Sequence, residues 1–316
     1  MTGPRRNVAI EPGSPEWLKL ITPSKVAAIC GVSRWESPFR LWHRMRGLVP
    51  PEPPKDAFDI GHDMEPYAAN RWRRRNPGWQ LSAGEVQFTV PDDHFGFPAA
   101  VTLDRRAVRG SSRRVVEVKI ARTMTDIEQW GDDLSGDCPD DYALQVTAQR
   151  LFCAAAQPHQ VKWAEVSHLL AIGPYYDERI YEIPWDASVA SWMISQCVDF
   201  YRSLESDTPP PLDNREQTYE CLRQLHPDID GTSVNIEPAL AAQYLNAYQG
   251  EKDAKTTHVG AKSLILDAMK KAQYAKVGDV IVAERRNNGK GGVALYKGTK
   301  ANAENIRQEG TTDDNN

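Results

Sequence analysis

The sequence predicts an α/β fold followed by a smaller helical and β-hairpin extension, and three observations predict it. Strand-like segments near 86–90, 99–104, 114–120, 161–172 and 178–184 are interleaved with helical patterns near 57–75, 140–156 and 186–205. The run Asp207-Thr208-Pro209-Pro210-Pro211-Leu212 cannot continue a helix, and the character of the chain changes after it. Finally, 316 residues with 41% hydrophobic side chains are enough to bury a sizeable core. The expected organisation is a core over 1–212 and an extension over 213–316.

Each element has a local cause. Thr22 before Pro23 is suited to start a helix, Val26, Ala27, Ile29 and Cys30 supply its apolar side, and Gly31 ends it. The pattern recurs with Ser37 as cap, Pro38 at the first helical position, and Leu41, Trp42 and Met45 leading to Gly47. The helix over 57–75 contains Pro66, which must kink it or begin its second half, and ends in the basic cluster Arg71-Trp72-Arg73-Arg74-Arg75. Beyond Leu212, residues 237–249 and 259–272 read as two helices, and 276–297 as a hairpin turning through Asn287–Gly292. The tail from about 300 is polar, with the composition of a disordered segment.

Composition narrows the function classes. A net charge of −5 argues against a passive nucleic-acid coat, yet it is compatible with an enzyme whose carboxylates hold metal. The five cysteines are scattered and include no CxxC pair, so reduced thiols are expected rather than zinc, iron–sulfur or disulfide chemistry. No stretch approaches the roughly 18 apolar residues of a membrane span. A cytoplasmic protein without a membrane partner is expected.

The chemistry centres on Val115-Val116-Glu117-Val118-Lys119-Ile120, where strict alternation puts Glu117 and Lys119 on one face of a strand. Asp104 ends the strand before it, and a hairpin through Arg109-Gly110-Ser111-Ser112 brings Asp104 beside Glu117. Two carboxylates plus the Val118 carbonyl make a hard-oxygen site suited to Mg²⁺ or Mn²⁺. Such an ion activates a bound water and neutralises charge building on a phosphate, while Lys119 holds or helps deprotonate that water. An exposed Glu–Lys pair on a surface strand is the plain alternative. Glu65 on the earlier helix can supply a carboxylate to a second ion, and a solvated helix glutamate is its plain alternative. Gln145, with Gln149 one turn on, can hydrogen-bond a metal-bound water or a phosphate, and a polar surface residue is its plain alternative. Ser24 and the free N–H groups at the start of its helix offer a phosphate site, against a simple capping role.

Taken in order, Ser24, Glu65, Asp104, Glu117-x-Lys119 and Gln145 resemble the YqaJ-like phage recombination exonucleases, a family related to phage lambda exonuclease within the PD-(D/E)xK nuclease superfamily. The resemblance covers about 17–205 and rests on Ile21-Thr22-Pro23-Ser24, Gly61-x-x-x-Glu65-Pro66, Leu103-Asp104, Glu117-Val118-Lys119 and Tyr142-x-x-Gln145-Val146. It implies a restriction-endonuclease-like fold, a central mixed β-sheet flanked by helices. It also implies Mg²⁺-dependent removal of one strand of linear duplex DNA from the 5′ end, leaving a 3′ strand for an annealing protein. Asp104, Glu117 and the Val118 carbonyl would hold two Mg²⁺ or Mn²⁺ ions together with Glu65. Lys119 and Gln145 would position the water, and Ser24 would help hold the 5′ phosphate. A homo-oligomeric ring is a further implication.

There are departures. Leu103 stands where the family has proline, and Lys19 is the only cation shortly before Ile21, so it is the candidate phosphate contact, with Arg34 and the nearby Ser37 as further candidates. An additional acidic ligand before Asp104 would fall to Asp92 or Asp93. In the extension, Lys270, Lys271, Arg285 and Arg286 suggest a grip on DNA or on the annealing partner. The rival readings are an endonuclease of the same superfamily and a non-catalytic DNA-binding protein on this fold.

Overall fold

The computed structural model describes residues 10–11, 13–50, 56–91, 94–121, 130–157, 161–289, 291–298, 301–303 and 306. Asp92 and Asp93, and most of the tail beyond 300, lie outside the described residues. The chain forms two compact units, the first ending at Asp228 and the second beginning at Ile229.

In the first unit a short helix α1 (Pro15–Leu18) precedes α2 (Pro23–Ile29), α3 (Pro38–Met45) and α4 (Asp56–Arg75). The strands are β1 (Gln80–Leu81), β2 (Val86–Thr89), β3 (Ala100–Leu103), β4 (Arg105–Arg109) and β5 (Ser112–Ile120). After α5 (Asp140–Ala156) come β6 (Lys162–Trp163), β7 (Val166–Ile172), β8 (Glu178–Pro184), α6 (Ala187–Glu205) and α7 (Glu216–Leu225). The main sheet has the order β1-β4-β5-β7-β8, with β6 also on β5; β2 and β3 form a separate pair. β5 is parallel to β7 and β6, while its pairing with β4 and that of β7 with β8 are antiparallel, so the sheet is mixed as expected.

The sheet is covered on both faces, so β5 buries Val115 on one side and Val116 and Val118 on the other. Val115, Leu169 and Tyr181 join one core with Val26, Leu144, Phe152 and Met193 from the helices. Val116, Val118, Leu170 and Ile180 join the other with Ala68 and Trp72 of α4. Period-two alternation therefore directs Glu117 towards the Val115 side, among the helices that include α5.

The helix starts follow the local signals. Pro38 opens α3 and the Ser37 hydroxyl accepts from the Arg40 N–H at 3.1 Å. Thr22 precedes Pro23 as expected but makes no side-chain cap; its hydroxyl lies 3.1 Å from that of Ser24 instead. The β4–β5 turn has only Gly110 and Ser111 between the paired residues Arg109 and Ser112. Gly110 adopts a φ of +57°, the left-handed conformation such two-residue turns need.

The first unit extends past the proline run expected to bound it at Leu212, because α7 docks on α3. Cys221 is buried with Phe39 and Val49, and Thr218 shares a 2.7 Å hydrogen bond with Ser37. The Arg215 guanidinium adds hydrogen bonds to the carbonyls of Gly31 and Ser33.

The second unit corrects two readings. The two helices expected over 237–249 and 259–272 are one, α8 (Pro238–Met269), since the Glu-, Lys- and Ala-containing stretch between them favours helix without needing an apolar face. The expected hairpin is a three-stranded sheet of β9 (Tyr274–Val277), β10 (Val280–Asn287) and β11 (Val293–Lys297). β9 is too short and half-exposed to show a clear alternation in the sequence.

Candidate metal centre

Leu103 ends β3, and Asp104 occupies the bend before β4. Because Arg105 pairs with Val116, the bend lies against Glu117 and Val118 of β5. One oxygen of Asp104 accepts the Val118 backbone N–H at 2.7 Å. The hairpin thus brings the two carboxylates together as the spacing predicted.

Glu117 is only 1% exposed, and both of its oxygens are held. Oε1 accepts from Lys119 Nζ at 2.5 Å and from Gln145 Nε2 at 2.6 Å. Oε2 accepts from Gln149 Nε2 at 2.6 Å. Gln145 and Gln149 lie one turn apart on α5, so one face of that helix delivers two amides to one carboxylate. The Lys119 ammonium also stands 5.2 Å from the centre of the Tyr142 ring.

The electrostatics follow from placing two acids and one base out of water. Burial, then the negative charge of Glu117, pushes the Asp104 carboxyl well above its ordinary range; Lys119 and the Val118 N–H oppose this only in part. Burial alone would lower the Lys119 ammonium, but the charges of Glu117 and Asp104 outweigh it and raise its pKa. The centre therefore brings two acidic groups to a single ammonium. Its donor set is oxygen only, without sulfur, which fits a hard divalent cation such as Mg²⁺ or Mn²⁺.

Glu65 on α4 is close enough for its charge to add to the rise at Asp104. One of its oxygens accepts from the Arg105 guanidinium at 3.0 Å and the other faces His62 Nδ1 at 3.2 Å. His62, Glu65 and Glu85 each bring one ligand atom within 4.8 Å of the others, a set able to hold a cation. Glu85 escaped sequence reasoning, although it immediately precedes β2, the partner of the strand leading to Asp104. Gln149 was visible only as a helical neighbour of Gln145.

The expected phosphate contacts divide. Ser24 and Lys19 are exposed and near the start of α2, which packs on α5. Ser37 is a correction: it is fully buried, caps α3 and bonds Thr218, so it cannot reach a phosphate. Arg34 is also otherwise engaged. Its guanidinium forks onto Asp141 at 2.9 and 3.0 Å, in a pocket that also includes Asp140. Two carboxylates there disfavour a phosphate. In the second unit Lys270 pairs with Asp267 at 2.6 Å and Arg286 with Glu284 at 2.7 Å, which reduces the basic character expected of that surface.

An acidic pair beside a lysine, on a mixed sheet enclosed by helices, defines this as a protein built around a candidate hard-cation centre. Residues 16–156, which include every residue of that centre, match the model of the YqaJ-like viral recombinase domain, and the chain resembles that family over this segment. The chain is also similar to the uncharacterized protein YqaJ of Bacillus subtilis (strain 168), with 22% identity over 285 residues, covering 84% of this chain and 81% of that protein. Among solved structures, an alkaline exonuclease (LHK-Exo) from Laribacter hongkongensis aligns at 17% identity and a TM-score of 0.43, covering 60% of this chain and 90% of that one. A putative exonuclease from Eubacterium rectale aligns at 14% identity and a TM-score of 0.47, covering 72% and 97%. In the described residues no helix is long and apolar enough to cross a membrane.

Proposed function

We propose that this chain is a metal-dependent deoxyribonuclease that removes one strand of linear duplex DNA in the 5′-to-3′ direction, leaving a 3′ strand for an annealing protein. The observation that carries the reading is Glu117, buried beside Asp104 and gripped by Lys119, Gln145 and Gln149. A carboxylate so held is costly to bury unless it is used. The match to the viral recombinase domain over the same residues supports it.

Asp104, Glu117 and the Val118 carbonyl would hold a Mg²⁺ or Mn²⁺ ion, and Glu65, with His62 and Glu85 beside it, would serve a second. The metal's chemistry is to lower the pKa of a bound water and to offset negative charge on the phosphate. The protein's own part is positional. Gln145 and Lys119 would orient the attacking water, and Gln145 is the half-exposed glutamine able to reach it. Ser24 and Lys19 would receive the 5′ phosphate. A ring of several copies would keep the DNA threaded, and the protein would act in the cytoplasm of a phage-infected or prophage-bearing cell.

The test is digestion of linear duplex bearing either a 5′ phosphate or a 5′ hydroxyl, labelled at each end in turn, with Mg²⁺ or with EDTA. Progressive loss from the 5′ end, only with Mg²⁺ and faster with the phosphate, is expected. Cleavage of covalently closed circles would establish the endonuclease reading instead. DNA loss in EDTA, or no cleavage at all with Mg²⁺ or Mn²⁺, would refute metal-dependent catalysis. Light scattering tests the oligomer independently.

A further inference from the structure

We propose that Gln149 is a positioning residue of this centre, setting the spacing between the two chain segments that carry Asp104 and Glu117. The inference rests on the metal-dependent reading above and adds a residue that touches neither water nor DNA.

Its geometry is unambiguous. Nε2 of Gln149 donates to Glu117 Oε2 at 2.6 Å and to the Thr102 carbonyl at 3.2 Å. Both partners are acceptors, so the amide has one tolerable orientation; turning it over would place its oxygen against two others. Thr102 lies on β3, which pairs with β2 outside the main sheet, whereas Glu117 lies on β5 within it. Gln149 therefore bridges two sheets. Asp104 follows Thr102 by two residues and is tied to β5 by the Val118 N–H. Together these bonds fix the β3–β4 bend at two points relative to Glu117.

Two features set Gln149 apart from Gln145. At 1% exposure it cannot contact a substrate, so whatever it contributes passes through Glu117 and the Thr102 backbone. Its own Oε1 is buried without a hydrogen-bond partner, a cost that an apolar side chain of similar size would avoid. What the position supplies is the pair of N–H donors. The groups that orient ligating carboxylates govern metal affinity, typically by about 10- to 100-fold.

The experiment is Mn²⁺ titration calorimetry and thermal unfolding, with and without Mn²⁺, on the full chain and its Gln149→Met and Gln149→Glu variants at pH 8. Methionine keeps the volume and removes both donors, and Mn²⁺ is expected to bind about 10- to 100-fold more weakly, with a smaller metal-induced rise in Tm. A glutamate buried against Glu117 either repels it when ionised or, when protonated, offers one donor where the amide offers two, so it should weaken binding as well; it also decides the matter should the methionine variant not fold. A lower metal-free Tm with unchanged Mn²⁺ affinity would reduce Gln149 to a packing residue and overturn the inference. Tighter binding by Gln149→Glu would make position 149 a ligand and overturn it too. If the parent chain bound no Mn²⁺ and cut no DNA, the nuclease reading would fall with it, whereas parent-like Mn²⁺ binding by Gln149→Met overturns this inference alone.

Discussion

Replacing Lys119 by methionine should separate the chemistry of the centre from its ability to hold metal. The ammonium lies 2.5 Å from Glu117, with side-chain exposures of 24% and 2%. Removing one partner of a buried pair costs about 3–5 kcal/mol, because the other charge is left uncompensated. Lys119 retains some access to water, so the lower end applies, about 3 kcal/mol, or a fall in Tm of roughly 6–12 °C for a domain of this size. That loss should appear in metal-free protein and shrink on adding Mn²⁺, since the cation takes over the neutralisation of Asp104 and Glu117. Mn²⁺ affinity should hold or rise, with no ammonium competing for the carboxylates. Strand degradation should nevertheless drop by about 10²- to 10³-fold, the usual loss when one positioned donor beside the reacting groups is removed. The assays are denaturant unfolding with and without Mn²⁺, titration calorimetry, and release of labelled nucleotides from linear duplex. Degradation at the parent rate would remove Lys119 from the mechanism. Unchanged metal-free stability would refute the buried pairing itself.

Three further outcomes test the framework around the centre. Burial, then repulsion from Arg44, lowers the Lys25 ammonium from 10.5 to about 7, although its Nζ donates to the carbonyls of Trp17, Leu18 and Leu20. The folded pKa lies below the unfolded one, so the unfolded chain binds the extra proton between about pH 7 and 10.5; stability should rise with pH across that window, and urea titrations of Lys25→Met should lack this rise. Ser37→Ala removes the α3 cap and the link to Thr218 and should cost about 1–2 kcal/mol in denaturant unfolding, with Mn²⁺ affinity unchanged. An altered Mn²⁺ affinity would contradict its assignment as a purely structural residue. Arg105→Met strands the Glu65 carboxylate and should destabilise the metal-free protein by about 3 kcal/mol; an unaltered denaturation midpoint would show the pair to be energetically silent.

Much of the centre was legible because it depends on short-range rules. Alternation around Glu117 put Lys119 on the same face. Gly110 allowed a two-residue turn, and that turn fixed which residue of β4 faces β5. The helical repeat put Gln145 and Gln149 on one side of α5. Arg34 and Ser37 were not legible in the same way. A cation near a helix start reads as a phosphate contact until Asp141, 107 positions away, occupies its fork. A capping serine reads as accessible until a helix beyond the proline run covers it. Glu85 had no distinguishing local pattern, since nothing nearby in the chain says that it converges on Glu65, whereas His62 precedes Glu65 by three residues on the same helix and so shares its face.

By itself the sequence determined the longer helices and the strands β2, β3, β5, β7 and β8 of the first unit, the starts of α2 and α3, and the strand pairing that joins Asp104 to Glu117. Each of these depends on backbone geometry over a few residues. Tertiary structure alone decided that the first unit continues to Asp228, that Ser37 is structural, that Arg34 serves Asp141, and that Gln149 joins Thr102 to Glu117. Those outcomes depend on which distant donor meets which acceptor once water is excluded, and packing of the whole unit sets that.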